Sequence, residues 1–395
     1  MTAVLLALVA LLGASVSAGA TWTTGPAMLD PTSGAGAALL GDGTVLVAGG
    51  NSASPGLAVN ERFDPVAGSW SAVAGMNHQR SGLVLVPLHD GSALAVGGDD
   101  NGVFPIAERY DPSADAWTVT EPPSGGGRGD YPAVVVLPDG RVVSIGGGHY
   151  DIADNDTSIY DPATNQWTTP VDYPYFVRGN AATVLADGRV LSAGGSASLG
   201  DLGEKQLDDV FVFDVATSTW LPVARLPAPR VGAVAVTLPD GRVLLAGGNP
   251  DPSALLYDVG ADRWTAAGLL PAGADPSALV LLPDGRVLAV GGVDPGTGTT
   301  SAALFDPATN GWTDAGPLLA QRGDGFTATL LPDGRVLVAG GELPNGTILS
   351  STEIWTPGGT PPPSCTPHPG RGHGKAKGRH KHHHECKGGH RHAHG

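Results

Sequence analysis

The sequence predicts an all-β protein: a seven-bladed β-propeller of four-stranded antiparallel blades, closed by an N-terminal strand that completes the last blade. Three observations predict this fold. The first seven tryptophans are 44 to 53 residues apart, a Gly-Gly pair follows each of them, and an Asp-Gly pair precedes each Gly-Gly pair. A fixed period of this length indicates a repeat architecture. One small sheet cannot bury both of its faces, so the units must stack against each other.

Four anchors define the repeat. The tryptophans are Trp22, Trp70, Trp117, Trp167, Trp220, Trp264, Trp312 and Trp355. The Gly-Gly pairs begin at residues 49, 97, 146, 194, 247, 291 and 340, and the Asp-Gly pairs begin at 42, 90, 139, 187, 240, 284 and 333. From the second tryptophan to the seventh, a Tyr or Phe stands seven residues earlier, as Phe63 does before Trp70.

Each unit is expected to contain strands a, b, c and d in chain order. Strand a is a run of small and branched residues such as 133–137, and the Asp-Gly pair then supplies the positive φ values of a tight hairpin turn. Strand b ends in Gly-Gly, strand c ends in the Tyr or Phe, and strand d carries the Trp. A proline often lies between strands c and d, where no ladder hydrogen bond is lost. The paired aromatic residues are suited to packing between neighbouring sheets.

The last unit predicts how the repeats close. Trp22 belongs to a strand d that has no strands a to c before it, whereas Trp355 occupies the strand-c position of the last unit. The segment around Trp22 is therefore expected to complete the seventh blade, which removes the exposed strand edges of an open array.

Both ends of the chain differ in composition from the repeats at 21–356. Residues 1–20 are expected to be a signal peptide, because the apolar run 3–13 precedes small residues with an A-x-A site. That run is shorter than the ~20 residues of a spanning helix. The expected location is therefore extracellular or the cell envelope, and a buried N-terminal element is the alternative.

Residues 357–364 read as a Pro/Gly linker, and residues 365–395 as a disordered tail that holds 9 of the 12 histidines and both cysteines. The whole chain of 395 residues carries a net charge of −16. Seven Lys and Arg residues against one acid give the tail +6, which leaves −22 on the rest. The negative charge argues against nucleic-acid binding by the propeller.

The Gly-Gly pairs, the Tyr/Phe–Trp spacing, the Asp-Gly hairpins and an arginine before strand a resemble the kelch β-propeller family over about residues 21–356. The repeated Asp-Gly-Arg-Val motif is similar to that of bacterial kelch propellers, including the propeller part of galactose-oxidase-like proteins. The resemblance implies a propeller that binds a ligand through its loops. In related propellers that bind acidic peptides, arginines at this place line the central opening, which implies an anion-binding ring.

The loops are expected to divide between two faces. Turns a–b and c–d share one face and are short and alike, whereas the d–a connections and the b–c loops share the other. The b–c loops vary in length: 51–57, 99–105, 148–156, 196–208, 249–253, 293–300 and 342–349. Variable loops on a constant scaffold commonly carry recognition. We call the face that holds the d–a connections and the b–c loops the loop face.

Candidate ligand-binding residues lie on the loop face. The arginines before strand a are Arg80, Arg128, Arg178, Arg230 and Arg322, and the accompanying residues are Tyr131, Tyr175, His78 and His149. Guanidinium groups bind carboxylates through paired hydrogen bonds. In the alternative, these arginines bind carbonyl groups of neighbouring blades or neutralise aspartates. The tripeptides 128–130 and 322–324 spell Arg-Gly-Asp, but the repeat itself accounts for them.

The sequence favours binding over catalysis and leaves an enzyme open. A galactose-oxidase-like copper radical site needs a Tyr cross-linked to a Cys, but Cys365 and Cys386 both lie in the tail. The propeller has only His78, His89 and His149, and no Gly-x-Ser-x-Gly or His-Glu-x-x-His motif occurs. A galactose-oxidase-like or other sugar-modifying enzyme is therefore the alternative to a monomeric scaffold for a protein, peptide or glycan ligand, including an acidic one.

Two segments could hold a cation, and no cofactor is certain. The tail residues His380, His382, His383, His384 and Cys386 form a ligand set for Zn²⁺, Ni²⁺ or Cu²⁺. Alternatively Cys365 and Cys386 pair in a disulfide, or the positive tail binds an anionic surface or the acidic propeller. The acidic segment 150–157 has oxygen ligands for Ca²⁺ but lacks the glycine and the distal glutamate of an EF-hand.

Overall fold

The structure is a computed structural model that describes residues 19–52, 59–98, 107–120, 132–149, 152–153, 155–199, 203–249, 253–268, 270, 276–293, 300–323 and 325–358. Within these residues every regular element is a β-strand, and most strands form four-stranded antiparallel sheets. The all-β prediction is confirmed, and the arrangement is consistent with a β-propeller. No helix in this part of the chain is long and apolar enough to cross a membrane.

The strands are numbered along the chain. The first group is β1 (Thr21–Thr24), β2 (Ser33–Leu39), β3 (Val45–Asn51), β4 (Val59–Asp64), β5 (Ser69–Ala72), β6 (Val84–Pro87), β7 (Ala93–Val96), β8 (Glu108–Asp111), β9 (Ala116–Val119), β10 (Ala133–Val136), β11 (Val142–Ile145), β12 (Gly148–His149), β13 (Ile152–Ala153), β14 (Asp156–Asp161), β15 (Gln166–Asp172), β16 (Phe176–Arg178) and β17 (Ala181–Val184).

The remaining strands are β18 (Val190–Ala193), β19 (Ser196–Ser198), β20 (Glu204–Gln206), β21 (Val210–Asp214), β22 (Thr219–Pro222), β23 (Val234–Thr237), β24 (Val243–Ala246), β25 (Leu255–Asp258), β26 (Arg263–Ala266), β27 (Ala278–Leu281), β28 (Val287–Val293), β29 (Thr300–Asp306), β30 (Gly311–Asp314), β31 (Phe326–Leu330), β32 (Val336–Gly340) and β33 (Thr352–Thr356).

The described residues form seven four-stranded sheets, which we number in chain order. Sheets one to six take their strands from single repeats: β2–β5, β6–β9, β10 with β11, β14 and β15, β17 with β18, β21 and β22, β23–β26, and β27–β30. Sheet seven contains β31, β32 and β33 and takes β1 as its outer strand, with Trp22 opposite Trp355. Two smaller sheets, β12–β13 and β16–β19–β20, lie outside this pattern.

The a–b hairpins use a different turn from the one that the Asp-Gly pairs predict. Only the glycine of each pair has a positive φ, between +84° and +91° across the seven turns. In the third sheet, Gly140 N–H donates to the Leu137 carbonyl at 2.9 Å, and Leu137 N–H donates to the Arg141 carbonyl at 2.7 Å. This is a three-residue loop that ends in a left-handed glycine. Asp139 has no positive φ, and its carboxylate accepts the Arg141 N–H at 3.1 Å.

The aromatic pairs join strands c and d and then the neighbouring sheet. Six Tyr/Phe–Trp pairs have ring centroids 4.8 to 5.2 Å apart, as in Tyr110 and Trp117. These two residues share a core cluster with Leu46 of the preceding sheet. The Trp117 indole N–H also donates to the carbonyl of Ala74, after that sheet, at 2.9 Å. The paired aromatic residues therefore pack between neighbouring sheets, as expected.

Indole hydrogen bonds of this kind recur in all seven sheets of the described chain. The acceptors are Ala315 for Trp22, Pro26 for Trp70, Ala74 for Trp117, Thr120 for Trp167, Thr157 for Trp220, Ala224 for Trp264 and Ala267 for Trp312. Each acceptor belongs to the preceding sheet or to the segment that leaves it. The sheets are thus linked in chain order by polar contacts as well as apolar ones.

Candidate ligand-binding face

The loop face is only partly described. Of the b–c loops, residues 342–349 are complete, and residues 196–199 and 203–208 are described on either side of a gap. Arg128, Tyr131, the tail metal ligands from His380 to Cys386 and Cys365 lie outside the described residues. The same holds for the signal segment 1–18, for residues 150, 151 and 154 of the acidic segment, and for the aspartates of both Arg-Gly-Asp tripeptides.

Three of the predicted arginines, Arg80, Arg230 and Arg322, have buried side chains that are at most 2 % exposed. Each guanidinium donates to the carbonyl of the first glycine of its own sheet's Gly-Gly pair, namely Gly97, Gly247 and Gly340. Arg230 also donates to the Ser253 carbonyl at 2.7 Å. These contacts hold strand b and the d–a connection together. Ligand binding by these arginines stays a prediction. In the structure their guanidinium groups are buried and bind backbone carbonyl groups.

A glutamate that sequence reasoning missed completes two of these sites. Glu108 and Glu353 lie two residues before the aromatic residue of strand c and form ion pairs with Arg80 and Arg322. Each carboxylate also accepts two backbone N–H groups of the d–a connection: from Asn77 and His78 in sheet two, and from Leu319 and Ala320 in sheet seven. The signal in the sequence is a Glu two residues before that aromatic residue, which recurs in three repeats.

Arg178 occupies a different environment from the other three. Its side chain is 24 % exposed and forms an ion pair with Glu204, whose other carboxylate oxygen accepts the Ser196 hydroxyl at 3.1 Å. The d–a connection here forms β16, which pairs with β19 of the following b–c loop, and β19 pairs in turn with β20 of the same loop. A d–a connection and a b–c loop therefore join in one three-stranded sheet on the loop face. We call β16, β19 and β20 the loop-face sheet.

The two faces of the loop-face sheet differ. Val177 and Ala197 lie opposite each other and are fully buried, in one core cluster with Leu207. The alternate positions point outward, where Phe176 is 50 % exposed opposite Ser198, which pairs with Glu204. The outward face thus presents an aromatic ring beside an Arg–Glu pair. Aromatic residues and arginine are enriched where protein partners bind most tightly.

An aromatic cluster supports the loop-face sheet from below. The Tyr173 ring meets Trp220 at a centroid distance of 4.8 Å and Phe211 at 5.6 Å, and Tyr175 meets Phe211 at 6.0 Å. Burial raises the pKa of the Tyr173 hydroxyl, which accepts a hydrogen bond from Ser192 at 3.2 Å. Tyr175, a predicted ligand-binding residue, is therefore half-buried and helps to hold the platform that carries Phe176.

The two predicted histidines lie in different places relative to the loop-face sheet. His78 is half-buried in the connection before sheet two, where its backbone N–H donates to Glu108 at 3.0 Å. His149 lies in β12, next to β13, which contacts both β16 and β19. Within the described ranges, no group of three or more His, Cys, Asp or Glu residues is placed to hold a metal ion.

The a–b turns of the opposite face are alike, and their charges are paired. The aspartate of every a–b turn forms an ion pair with an arginine: the pairs are Asp42–Arg62, Asp90–Arg109, Asp139–Arg141, Asp187–Arg189, Asp240–Arg242, Asp284–Arg286 and Asp333–Arg335. The side-chain hydrogen bond from Arg141 holds the pKa of the Asp139 carboxyl below its usual range. Repeated pairs of this kind leave little on this face to distinguish one ligand from another.

Comparison with known proteins shows which family motif and which relatives these repeats resemble. The Kelch motif matches residues 31–77 and 178–227. The chain is 30 % identical over 192 residues to Kelch-like protein 35 of Mus musculus, covering 48 % of this chain and 30 % of that protein. It is 28 % identical over 206 residues to Kelch-like protein terF of Aspergillus terreus, covering 48 % and 43 %. The chain thus spans less than half the length of these relatives.

Two further similarities involve enzymes. Over 91 residues the chain is 36 % identical to N-acetylneuraminate epimerase of Yersinia enterocolitica, covering 22 % of this chain and 23 % of that protein. The structure of a fungal alcohol oxidase of the AA5 family in complex with copper aligns with a TM-score of 0.46 and 20 % identity, covering 82 % of this chain and 62 % of that one.

The matched motif begins at the d–a connection and ends beyond strand d in both places, so it spans the same unit that the sheets define. The Gly-Gly pair, the paired Tyr/Phe and Trp, and the four-stranded antiparallel sheet all lie in that unit. The units at residues 31–77 and 178–227 are therefore kelch repeats.

Proposed function

We propose that the seven four-stranded sheets are the blades of a closed ring. The innermost strand of each sheet contacts that of the next in chain order, and β31 of sheet seven contacts β2 of sheet one. The indole hydrogen bonds support the same order, because Trp22 of sheet seven donates to Ala315 after sheet six, and Trp70 of sheet one donates to Pro26 after β1. In this ring β1 joins the first segment of the propeller to its last sheet.

Replacing Trp22 with alanine tests the closure. If β1 completes the ring, Trp22→Ala should lower the free energy of unfolding by about 3 kcal/mol, through lost aromatic packing and a lost hydrogen bond. Trp312→Ala is the matched control, since the Trp312 indole of sheet six makes the same kind of bond to Ala267, after the preceding sheet five, at 2.7 Å and away from the point of closure. Urea denaturation measures both. A near-neutral Trp22→Ala beside a costly Trp312→Ala would contradict closure.

We propose that the protein is a scaffold that binds a protein or peptide partner through its loop face. The observation that carries this proposal is the loop-face sheet, where Phe176 and the Arg178–Glu204 pair are exposed on a platform held by buried aromatic rings. The matched kelch-like proteins share the repeat that builds such a scaffold. We also propose, as alternatives or additions to this function, a glycan ligand, secretion to the cell surface and a sugar-modifying activity.

Removing the exposed ring tests this function. Phe176→Ala is expected to weaken partner binding about tenfold or more, because an exposed aromatic anchor contributes to affinity without contributing to the core. Val66→Ala is the matched control: Val66 is 96 % exposed in the c–d turn of sheet one, on the opposite face. Partner capture from native extract, followed by titration of the captured protein, measures both. Equal binding by Phe176→Ala and the parent would rule out the loop-face sheet as the partner-binding site.

A further inference from the structure

Three sheets of the chain share a buried glutamate at one register position. Glu61, Glu108 and Glu353 lie opposite Val47, Ala95 and Val338, each two residues before the first glycine of its Gly-Gly pair. In sheets two and seven the carboxylate receives two backbone N–H groups and one arginine guanidinium. The same guanidinium reaches the carbonyl of the first glycine, Gly97 or Gly340. Each of these sites therefore holds a guanidinium between a carboxylate and a carbonyl.

Sheet one keeps the acceptors but has a different residue in place of the arginine. Glu61 is 2 % exposed and accepts the N–H groups of Leu29 and Asp30 at 2.8 and 2.7 Å, as in the other two sheets. Thr32 occupies the arginine position, and its hydroxyl donates to the Gly49 carbonyl at 3.1 Å. No basic side chain in the described ranges forms an ion pair with Glu61. The neighbouring Arg62 pairs instead with Asp42, at 3.2 Å.

Without an arginine beside it, the Glu61 carboxylate is less stable as an ion than the matching carboxylates of sheets two and seven. Burial raises the pKa of the Glu61 carboxyl, and the negative charge of Asp30 raises it further. An ionised carboxylate that is buried without a counter-charge is unfavourable even when it accepts hydrogen bonds. Asp30 stands where sheets two and seven have His78 and Ala320, so the local charge is more negative here than at either sister site.

Glu61 also lies close to the surface of the loop face. The two residues that donate to it, Leu29 and Asp30, are exposed, and Leu29 is 57 % exposed. The segment that hydrogen-bonds to the carboxylate therefore lies at the surface of the loop face. The exposed Asp30 carboxylate would attract a cation to the same place.

We propose that sheet one binds a guanidinium group between the Glu61 carboxylate and the Gly49 carbonyl, with Asp30 at the entrance. The two sister sites show which group these acceptors hold, and a carboxylate binds guanidinium through charge-assisted hydrogen bonds. The group is either an arginine side chain of a partner on the loop face or a free guanidinium compound. The first source rests on the proposed scaffold function, whereas the second does not.

Thermal unfolding with methylguanidinium chloride tests the site without a partner. The parent protein is expected to show a saturable rise of roughly 1–3 °C in Tm at ten times the dissociation constant. Two variants should not respond: Thr32→Arg, because its own guanidinium fills the site, and Glu61→Gln, because the negative charge is gone. Thr32→Arg should also raise Tm with no ligand added. Potassium and tetramethylammonium chloride at equal ionic strength are the salt controls.

Each outcome decides the proposal. An equal rise in the parent and both variants, no rise in the parent, or an equal rise with potassium would overturn the guanidinium site. A rise confined to the parent supports it, whatever happens to partner capture by Phe176→Ala. Capture by Thr32→Arg then distinguishes the source: weakened capture indicates a partner arginine, and unchanged capture indicates a free guanidinium compound.

Discussion

Replacing Arg322 with alanine is expected to lower the free energy of unfolding by about 3–5 kcal/mol, because it leaves a buried carboxylate without its counter-charge. Arg322 is fully buried and donates to Glu353, to the Gly340 carbonyl and to the Ser351 carbonyl, the last at 2.9 Å. Burial lowers the pKa of the guanidinium, and the Glu353 charge opposes that shift. All of these acceptors would lose the guanidinium at once, and Glu353 would keep only its two backbone donors.

Arg178→Ala is the matched control for Arg322→Ala. Both residues lie in the connection before strand a and both form an ion pair with a glutamate, but the Arg178–Glu204 pair is partly exposed. An exposed pair contributes about 0–1 kcal/mol. Urea denaturation of both variants should therefore show a large loss for Arg322→Ala and a small one for Arg178→Ala. Similar losses would mean that burial does not set the contribution of these arginines.

This contrast also affects how binding experiments are interpreted. Arg80→Ala and Arg322→Ala would weaken any binding indirectly by destabilising the scaffold, so loss of binding alone would not identify a contact. Arg178→Ala leaves the core intact and changes only the outward face of the loop-face sheet. A loss of partner binding without a loss of stability in Arg178→Ala would therefore support a contact at this residue.

Gly194→Ala is expected to have the second largest effect, a loss of roughly 2–5 kcal/mol from a strained φ and from overpacking. Gly194 has a φ of +66°, and an added Cβ would lie 2.5 Å from the Arg230 carbonyl oxygen of the next sheet. A backbone carbonyl cannot move aside without shifting the d–a connection that carries it. The first glycine of the pair is thus required by the close approach of two sheets.

Gly68 provides the control for Gly194→Ala. It has the same φ of +66°, but an added Cβ would meet nothing within 4 Å. Gly68→Ala should therefore cost only the backbone strain, about 1–2 kcal/mol. Thermal and urea unfolding measure both variants. If Gly68→Ala were as costly as Gly194→Ala, the backbone conformation rather than the sheet contact would explain the glycine.

Periodicity in the sequence predicts the fold because the repeat is local. Each hairpin, each Tyr/Phe–Trp pair and each Asp-Gly turn lies within one unit of about 50 residues, so their spacing alone indicates four strands in order. The turn type was predicted less well. An Asp-Gly pair suits both a two-residue turn and a three-residue turn, and the hydrogen bonds across Leu137 to Arg141 distinguish them.

The candidate site depends on contacts between distant segments, which the spacing of residues in the sequence does not reveal. The sequence by itself determined the all-β class, the repeat unit and the face on which loops vary. Only the tertiary structure separated Arg178 from Arg80, Arg230 and Arg322, because the arginine before strand a is partly exposed in one sheet and buried in three. Burial and the choice of ion-pair partner arise where segments distant in sequence meet. The glutamate contacts, and the absence among the described residues of an ion pair to Glu61, therefore emerge only when the sheets are packed together.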